Sequence, residues 1–334
     1  MTSKISTVEV SSNWQTLLAQ AFTSPRELLK FVSIDPRQLA LPAPDALDFA
    51  CRVPMPFARL MQPGDIKDPL LRQVLPLSAE LEPVVGYSAD PLNEAQASPQ
   101  DGIIQKYHGR VLLVAASACA VNCRYCFRRH FPYQEQTATG TELNEAFEFI
   151  ASHEDIHEVI LSGGDPLVLG ERRFAELVAQ LEQIPHVRRL RIHSRLPIVL
   201  PQRVTPELLT VLQNTRLQVV MVVHSNHANE ISVGVRDGFA QMRASGIALF
   251  NQSVLLSGVN DTAPVLAQLS EILFDAGVTP YYLHQLDPVA GAAHFAVPLS
   301  RARRLHHELL AQLPGFLVPR LVSELPGQVS KTHL

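Results

Sequence analysis

The chain has 334 residues, 46% apolar and 18% charged, with a formal net charge of -4 and an isoelectric point near 6.3. That apolar fraction excludes a disordered chain and supports one large domain or two small ones with a real core. There is no basic excess of the kind that marks nucleic-acid binders, no apolar segment of a secretory signal at the start, and the longest apolar run, 111–121, is too short to span a bilayer. The expectation is a cytoplasmic protein with no nucleic-acid or membrane partner.

Residues 1–105 are predicted as a mostly helical, irregular N-terminal extension. Twelve of the 25 prolines fall in the first 100 residues, with helix-like patches at 14–22 and 25–32 between them. The patch at 46–58 also has helical character, but Pro54 and Pro56 should interrupt it, since proline has no amide hydrogen and clashes with the preceding turn.

From 106 to 315 the pattern becomes regular. Apolar, β-branched runs at 111–116, 158–161, 189–193, 217–223, 248–255 and 280–283 alternate with helix-like stretches at 141–152, 171–183, 206–213, 230–245, 263–276 and 300–313. Alternation of this kind predicts βαβ units and a parallel sheet, and the continuous apolar character of the runs fits strands covered on both faces. Six units predict an α/β fold: a partial, open (β/α)6 relative of the TIM barrel. Residues 316–334 form a C-terminal segment.

Conspicuous polar residues lie where the predicted strands end. CAVNCRYC follows the first run, SGGDP the second, HSR the third and HSNH the fourth; Gln252 lies in the fifth, and HQLD follows the sixth. In β/α barrels the carboxyl ends of the strands carry the active site, so these loops predict one shared site.

Three of the four cysteines, Cys119, Cys123 and Cys126, sit within eight residues as CxxxCxxC. Such crowding argues for ligation of a metal or cluster in a reducing compartment and against a disulfide framework. Three thiolates can hold a [4Fe–4S] cluster at three irons and leave the fourth for another ligand. The alternative is a zinc site completed by Cys51 or a histidine; Cys51, 68 residues earlier, otherwise reads as a core residue.

CAVNCRYC, with Tyr125 before the third cysteine, resembles the signature of radical S-adenosylmethionine (SAM) enzymes. CRYCFRRH, LSGGDPL, LPQRVT, NQSVLLSGVND and QLDPVAGAAHF, in that order from about residue 85 to the end, resemble the lysine 2,3-aminomutase family. Within it, the chain is similar to the branch that supplies (R)-β-lysine for post-translational modification of elongation factor P.

The resemblance implies a set of roles. Cys119, Cys123 and Cys126 would hold the cluster; Ser162, Gly163, Gly164 and Asp165 would meet the SAM amino group, and His224 and Gln252 would lie near SAM. Lys331, in LPGQVSKTHL, would carry pyridoxal 5'-phosphate (PLP), with Arg110 on its phosphate, although Gln328, Val329 and Ser330 replace glycines expected there. Arg128 would bind the substrate carboxylate, a geometry suited to a planar guanidinium, while Asp287 and Glu324 would bind the ε-ammonium of L-lysine. Glu324 stands where an aspartate is expected and His284 where an aromatic is expected. The implied partners are an electron donor such as flavodoxin or ferredoxin, and, functionally, elongation factor P and its β-lysine ligase; no structural zinc is expected. The rival readings are an aminomutase for another amino acid and a non-catalytic, zinc-centred binding protein.

Overall fold

The computed structural model describes residues 13–46, 48–133, 137–138 and 140–334. The first twelve residues, read above for signal character, and Leu47 in the 46–58 patch lie outside the described residues. One nine-stranded sheet runs β1 to β9 in chain order. The strands are β1 (Ile103–Tyr107), β2 (Arg110–Ala116), β3 (Glu158–Gly163), β4 (Arg189–Ser194), β5 (Gln218–Val223), β6 (Ala248–Val254), β7 (Thr279–His284), β8 (Arg320–Ser323) and β9 (Thr332–His333). Every pair from β2 to β8 is parallel, while β1 and β9 close the two edges antiparallel. β1 and β9 are the sheet's two ends in the strand order, so the barrel is open, as the sequence pattern predicts.

Two edge features go beyond that pattern. β1 pairs with β2 through the turn at His108 and Gly109, where Gly109 has φ 73°. β8 and β9, of four and two residues, are too short to show a period and bring the C-terminal segment into the sheet. The boundary drawn at residue 105 therefore falls inside β1.

Side-chain alternation divides the strands into two faces. Leu113, Leu161 and Ile192 stand in register and pack in the main core, whereas their neighbours Leu112, Ile160 and Arg191, also in register, line the barrel cavity. Helices Thr141–Ser152, Glu171–Glu182, Pro206–Asn214, Val233–Ala244, Ala263–Asp275 and Leu299–Gln312 cover the outer face. Caps explain their starts. Thr205 accepts a hydrogen bond from the Leu208 amide with Pro206 as the first helical residue, and Ser232 accepts from Val235. The second cap moves that helix start from the expected residue 230 to Val233, and Glu230 sits in a preceding 3-10 turn.

In the N-terminal extension, Trp14–Ala19 and Pro25–Phe31 are helices capped by Asn13 and Ser24. The 46–58 expectation needs correcting: the helix is only Met55–Ala58, starting after Pro54 rather than being broken by it. Pro56 lies in the first turn, where a missing amide costs nothing.

This extension grips the loop after β2. The amides of Asn122 and Arg124 donate to the carbonyls of Arg52 and Gln73 at 3.0 and 2.9 Å. Arg124, fully buried, forms a two-point pair with Glu80, its Nη2 lying 2.5 Å from Oε2, and Arg129 reaches the same oxygen at 2.7 Å. Burial alone would raise the Glu80 carboxyl, but the two guanidiniums hold it below its usual range. Losing Arg124 leaves Glu80 with Arg129 alone and opens the buried two-point contact, at the low end of the cost of breaking a buried pair, about 3 kcal/mol. Arg124→Met should therefore lower unfolding stability by about that amount in urea titration; a loss under about 0.5 kcal/mol, the size of a surface substitution, would show that the tether is not structural.

Candidate active site

The carboxyl ends of the strands open on a cavity of about 480 Å³. Its lining includes every residue given a cluster, SAM, PLP or substrate role from the sequence: Cys119, Cys123 and Cys126 after β2; Ser162, Gly163, Gly164 and Asp165 at the end of β3; His224 after β5; Gln252 in β6; Asp287 after β7; Glu324 after β8; and Lys331 before β9. Arg110, at the start of β2, and Arg128 belong to the same wall. Cys51 is buried in the main core, away from this cavity, as expected.

The three thiols come close enough to influence one another. Burial, then the neighbouring thiols, raise Cys119 well above the ordinary thiol value and raise Cys126 to about 11. A cubane takes its thiolates at separate corners, and three cysteines on one cavity wall suit a cluster.

The SGGD segment clamps this loop. The Gly164 amide donates to Ala116 at 2.8 Å and the Asp165 amide to Ala118 at 2.9 Å. Asp165, buried, accepts from Ser194 Oγ at 2.7 Å and from the amides of Leu167, Arg195 and Leu196 at 3.0, 2.8 and 3.0 Å. Its carboxylate fixes the end of β4, so what this segment can offer a ligand comes from Ser162 and the glycine backbone. Gly163, at φ 106°, holds the backbone in a region that favours glycine.

Two of the three substrate residues expected from sequence, Arg128 and Glu324, are already paired with other groups of the wall. Arg128 donates Nε and Nη2 to Glu94 at 2.6 and 2.8 Å, leaving Nη1 3.3 Å from Ser162 Oγ. Lys106 pairs with Glu94 at 2.9 Å and with Glu324 at 2.8 Å. Lys331 Nζ pairs with the other Glu324 oxygen. Charges thus alternate along the wall: Arg128, Glu94, Lys106, Glu324, Lys331. Burial would raise Glu324, but Lys331 and Lys106 hold it down to about 2. Asp287 makes no ion pair among the described residues; burial, then Glu324, push it up to about 7.

His224 and Gln252 bond to one another, Nε2 to Nε2, at 2.9 Å. Burial, with Arg195 and Arg128 nearby, lowers His224 to about 3, so its ring is neutral. His193 and His284 also face the cavity, and each has a buried Nε2 without a partner among the described residues. Burial and Lys331 lower His284 to about 3. Arg110 lies 4.8 Å over the Tyr107 ring, with Arg191 and Arg320 on the same lining.

Sequence reasoning missed Glu94, Lys106 and Arg195. HSR and HSNH marked loops but gave His193, Arg195 and Asn226 no role. For Glu94, in a proline-rich stretch without period, no local signal exists.

Residues 113–233 match the radical SAM superfamily. The chain is 49% identical to the L-lysine 2,3-aminomutase of Escherichia coli K12 over 323 residues, 96% of this chain and 94% of that one. It is 44% identical to the L-lysine 2,3-aminomutase of Haemophilus influenzae over 325 residues, 97% and 96% of the two chains. The Clostridium subterminale L-lysine 2,3-aminomutase is 33% identical over 322 residues, 96% of this chain and 77% of that one. Fold and thiol loop define a radical SAM enzyme, a class that uses a [4Fe–4S] cluster and SAM. Within that class the chain belongs to the L-lysine 2,3-aminomutase family, and it is an isomerase.

A side chain at Gly164 would drive its Cβ into the Ala118 carbonyl and to 2.8 Å from the Ala116 carbonyl, both backbone atoms. Overpacking of this kind costs about 1–3 kcal/mol. Gly164→Ala should lose about that much stability in urea and take up less iron on reconstitution; unchanged stability and iron content would show that the clamp tolerates a methyl group.

Proposed function

We propose that this protein converts (S)-α-lysine into (R)-β-lysine with a [4Fe–4S] cluster, SAM and PLP, and that the product serves cytoplasmic modification of elongation factor P by its β-lysine ligase. A small electron carrier such as flavodoxin or ferredoxin would reduce the cluster. One observation carries the reading: the three-thiol loop and Lys331, from opposite ends of the barrel domain, line the same cavity. The pathway assignment rests on the sequence motifs.

The reaction moves an amino group from C2 to C3, and the C3–H bond is too unactivated for acid–base chemistry. Cluster and SAM supply a carbon radical able to take that hydrogen, and PLP supplies a delocalised system that lets the nitrogen migrate. The protein's part is holding and excluding water. Cys119, Cys123 and Cys126 hold the cluster; Ser162, Gly163, Gly164, His224 and Gln252 surround the SAM site, with Asp165 bracing it. Lys331 holds PLP through Nζ, and Arg110 faces the phosphate end, where Arg191 and Arg320 add positive charge. The unpartnered Nε2 atoms of His193 and His284 are polar groups in want of ligand partners.

The substrate is a zwitterion with a distal cation. Arg128 can offer Nη1 to its carboxylate while Glu94 keeps the guanidinium in place. Among the described residues Asp287 is the cavity acid with neither an ion pair nor the hydroxyl and amide donors that hold Asp165, and it therefore receives the ε-ammonium. Glu324 holds Lys331 and Lys106 and shapes the field around that pocket. Asp287 disfavours an anionic side chain such as glutamate.

Reconstituted, reduced protein with SAM, PLP and L-lysine should form β-lysine, read by chiral chromatography. Lys331→Ala should lose PLP absorbance and at least roughly 10³-fold in turnover. Failure of wild type to form β-lysine with cluster and PLP both bound would reject the activity.

The two acids respond oppositely to pH. Glu324, held near 2, stabilises the fold above its usual 4.5 and loses that contribution as pH falls towards 2. Asp287, raised to about 7 from 3.8, costs stability progressively as pH rises through that interval, and a bound ammonium relieves the cost. KM for lysine should thus fall, by up to about tenfold per pH unit, as pH rises towards about 7. Asp287→Asn should raise KM and flatten that dependence; an identical profile in the variant would place the ammonium elsewhere.

A further inference from the structure

We propose that Arg195 is a positioning residue that sets the reduction potential of the cluster by donating a charged hydrogen bond to the Cys123 sulfur. The inference rests on the assignment of the three thiols as cluster ligands, and it concerns a residue to which the sequence motifs gave no role.

Arg195 leaves the end of β4 with its guanidinium inside the protein, 6% exposed. Nη1 lies 2.7 Å from Cys123 Sγ and 2.6 Å from the Tyr125 hydroxyl. Nη2 lies 2.7 Å from Gln73 Oε1 and 3.1 Å from Glu230 Oε2. The guanidinium also sits 5.6 Å from the Tyr125 ring and 5.5 Å from the Phe57 ring. Its main chain is pinned as well, since the Arg195 amide donates to Asp165. Four parts of the chain therefore fix one charge: Gln73 from the N-terminal extension, Tyr125 from the cysteine loop, Asp165 after β3, and Glu230 after β5.

The acceptors are tied to each other. Asn226 Nδ2 donates to Gln73 Oε1 at 2.9 Å and to the Tyr125 hydroxyl at 2.7 Å, while Gln73 Nε2 donates to Glu230 Oε1 at 3.1 Å. Glu230 Oε1 also accepts the amides of Asn226 and His227 at 2.8 and 3.0 Å. Such a network leaves the guanidinium little freedom to turn away from the sulfur. Among the described residues Cys123 is the cysteine that receives a side-chain donor, so the effect falls on one corner of the cluster.

Reduction takes the cluster from the 2+ to the 1+ state by one electron, and the added negative charge spreads over iron and sulfur. A cation donating to a ligand sulfur in a low-dielectric site stabilises the reduced form more than the oxidised form and raises the potential. Hydrogen bonds around the ligand atoms are a recognised lever on metal-site potentials. Guanidinium stays charged at every working pH, so this contribution does not vary with pH. Glu230 opposes it by partly neutralising the cation.

The test is an anaerobic dithionite titration of reconstituted full-length protein, read by the electron paramagnetic resonance of the reduced cluster, with iron and sulfide assayed beforehand. In Arg195→Met the ratio of reduced to oxidised cluster at a fixed potential should fall at least tenfold, which for one electron is a shift of about 59 mV to the negative side. Arg195→Lys, which keeps the charge, should recover part of the shift. Glu230→Gln should move the potential to the positive side, and it decides the matter alone if Arg195→Met holds no cluster. A loaded Arg195→Met protein with the wild-type potential, or a Glu230→Gln protein that shifts negative or not at all, overturns the proposal. Wild type that takes up no four-iron cluster would instead refute the thiol assignment beneath it.

Discussion

Parallel pairing from β2 to β8 is the constraint on which the rest of this structure depends. Because those strands run the same way, their carboxyl ends meet at one rim, and every connecting segment must return over the outer face as a covered helix or turn. The chemistry-bearing loops are neighbours in space for that reason alone. The antiparallel edge strand β9 then turns the C-terminal segment back, so that Lys331 comes beside Glu324 of the β8 end. Without that return the lysine would be a tail residue.

A cavity holding this many ionised groups is stable only if each charge finds compensation. The alternation Arg128, Glu94, Lys106, Glu324, Lys331 provides it along one wall. Asp287 stands outside the sequence of pairs, and burial drives it towards the neutral form. A ligand that brings its own cation to Asp287 and its own anion to Arg128 completes the pattern instead of disturbing it.

The N-terminal extension contributes to the site as well as to the fold. Glu94 fixes Arg128, Gln73 accepts from Arg195, and Glu80 anchors Arg124 and Arg129. Each reaches a residue in or just after the cysteine loop, or the charge that touches it. The extension thus holds the cysteine loop together with the SGGD clamp.

By itself the sequence determined the parallel α/β architecture, the six main strands nearly to their ends and the three-thiol loop, because periodicity of two and 3.6 residues and close cysteine spacing are local properties. The motifs after strands also pointed to one rim, and the candidate site residues drawn from them line one cavity. Tertiary structure alone decided who partners whom. Glu94, in an aperiodic segment, claims two donors of Arg128; Glu324 holds Lys331; Asp165 braces β4; Arg195 reaches Cys123. Long-range ion pairs carry no sequence period, since they depend on which side chains the packed chain places within about 3 Å of each other, and nothing in a local pattern encodes that distance.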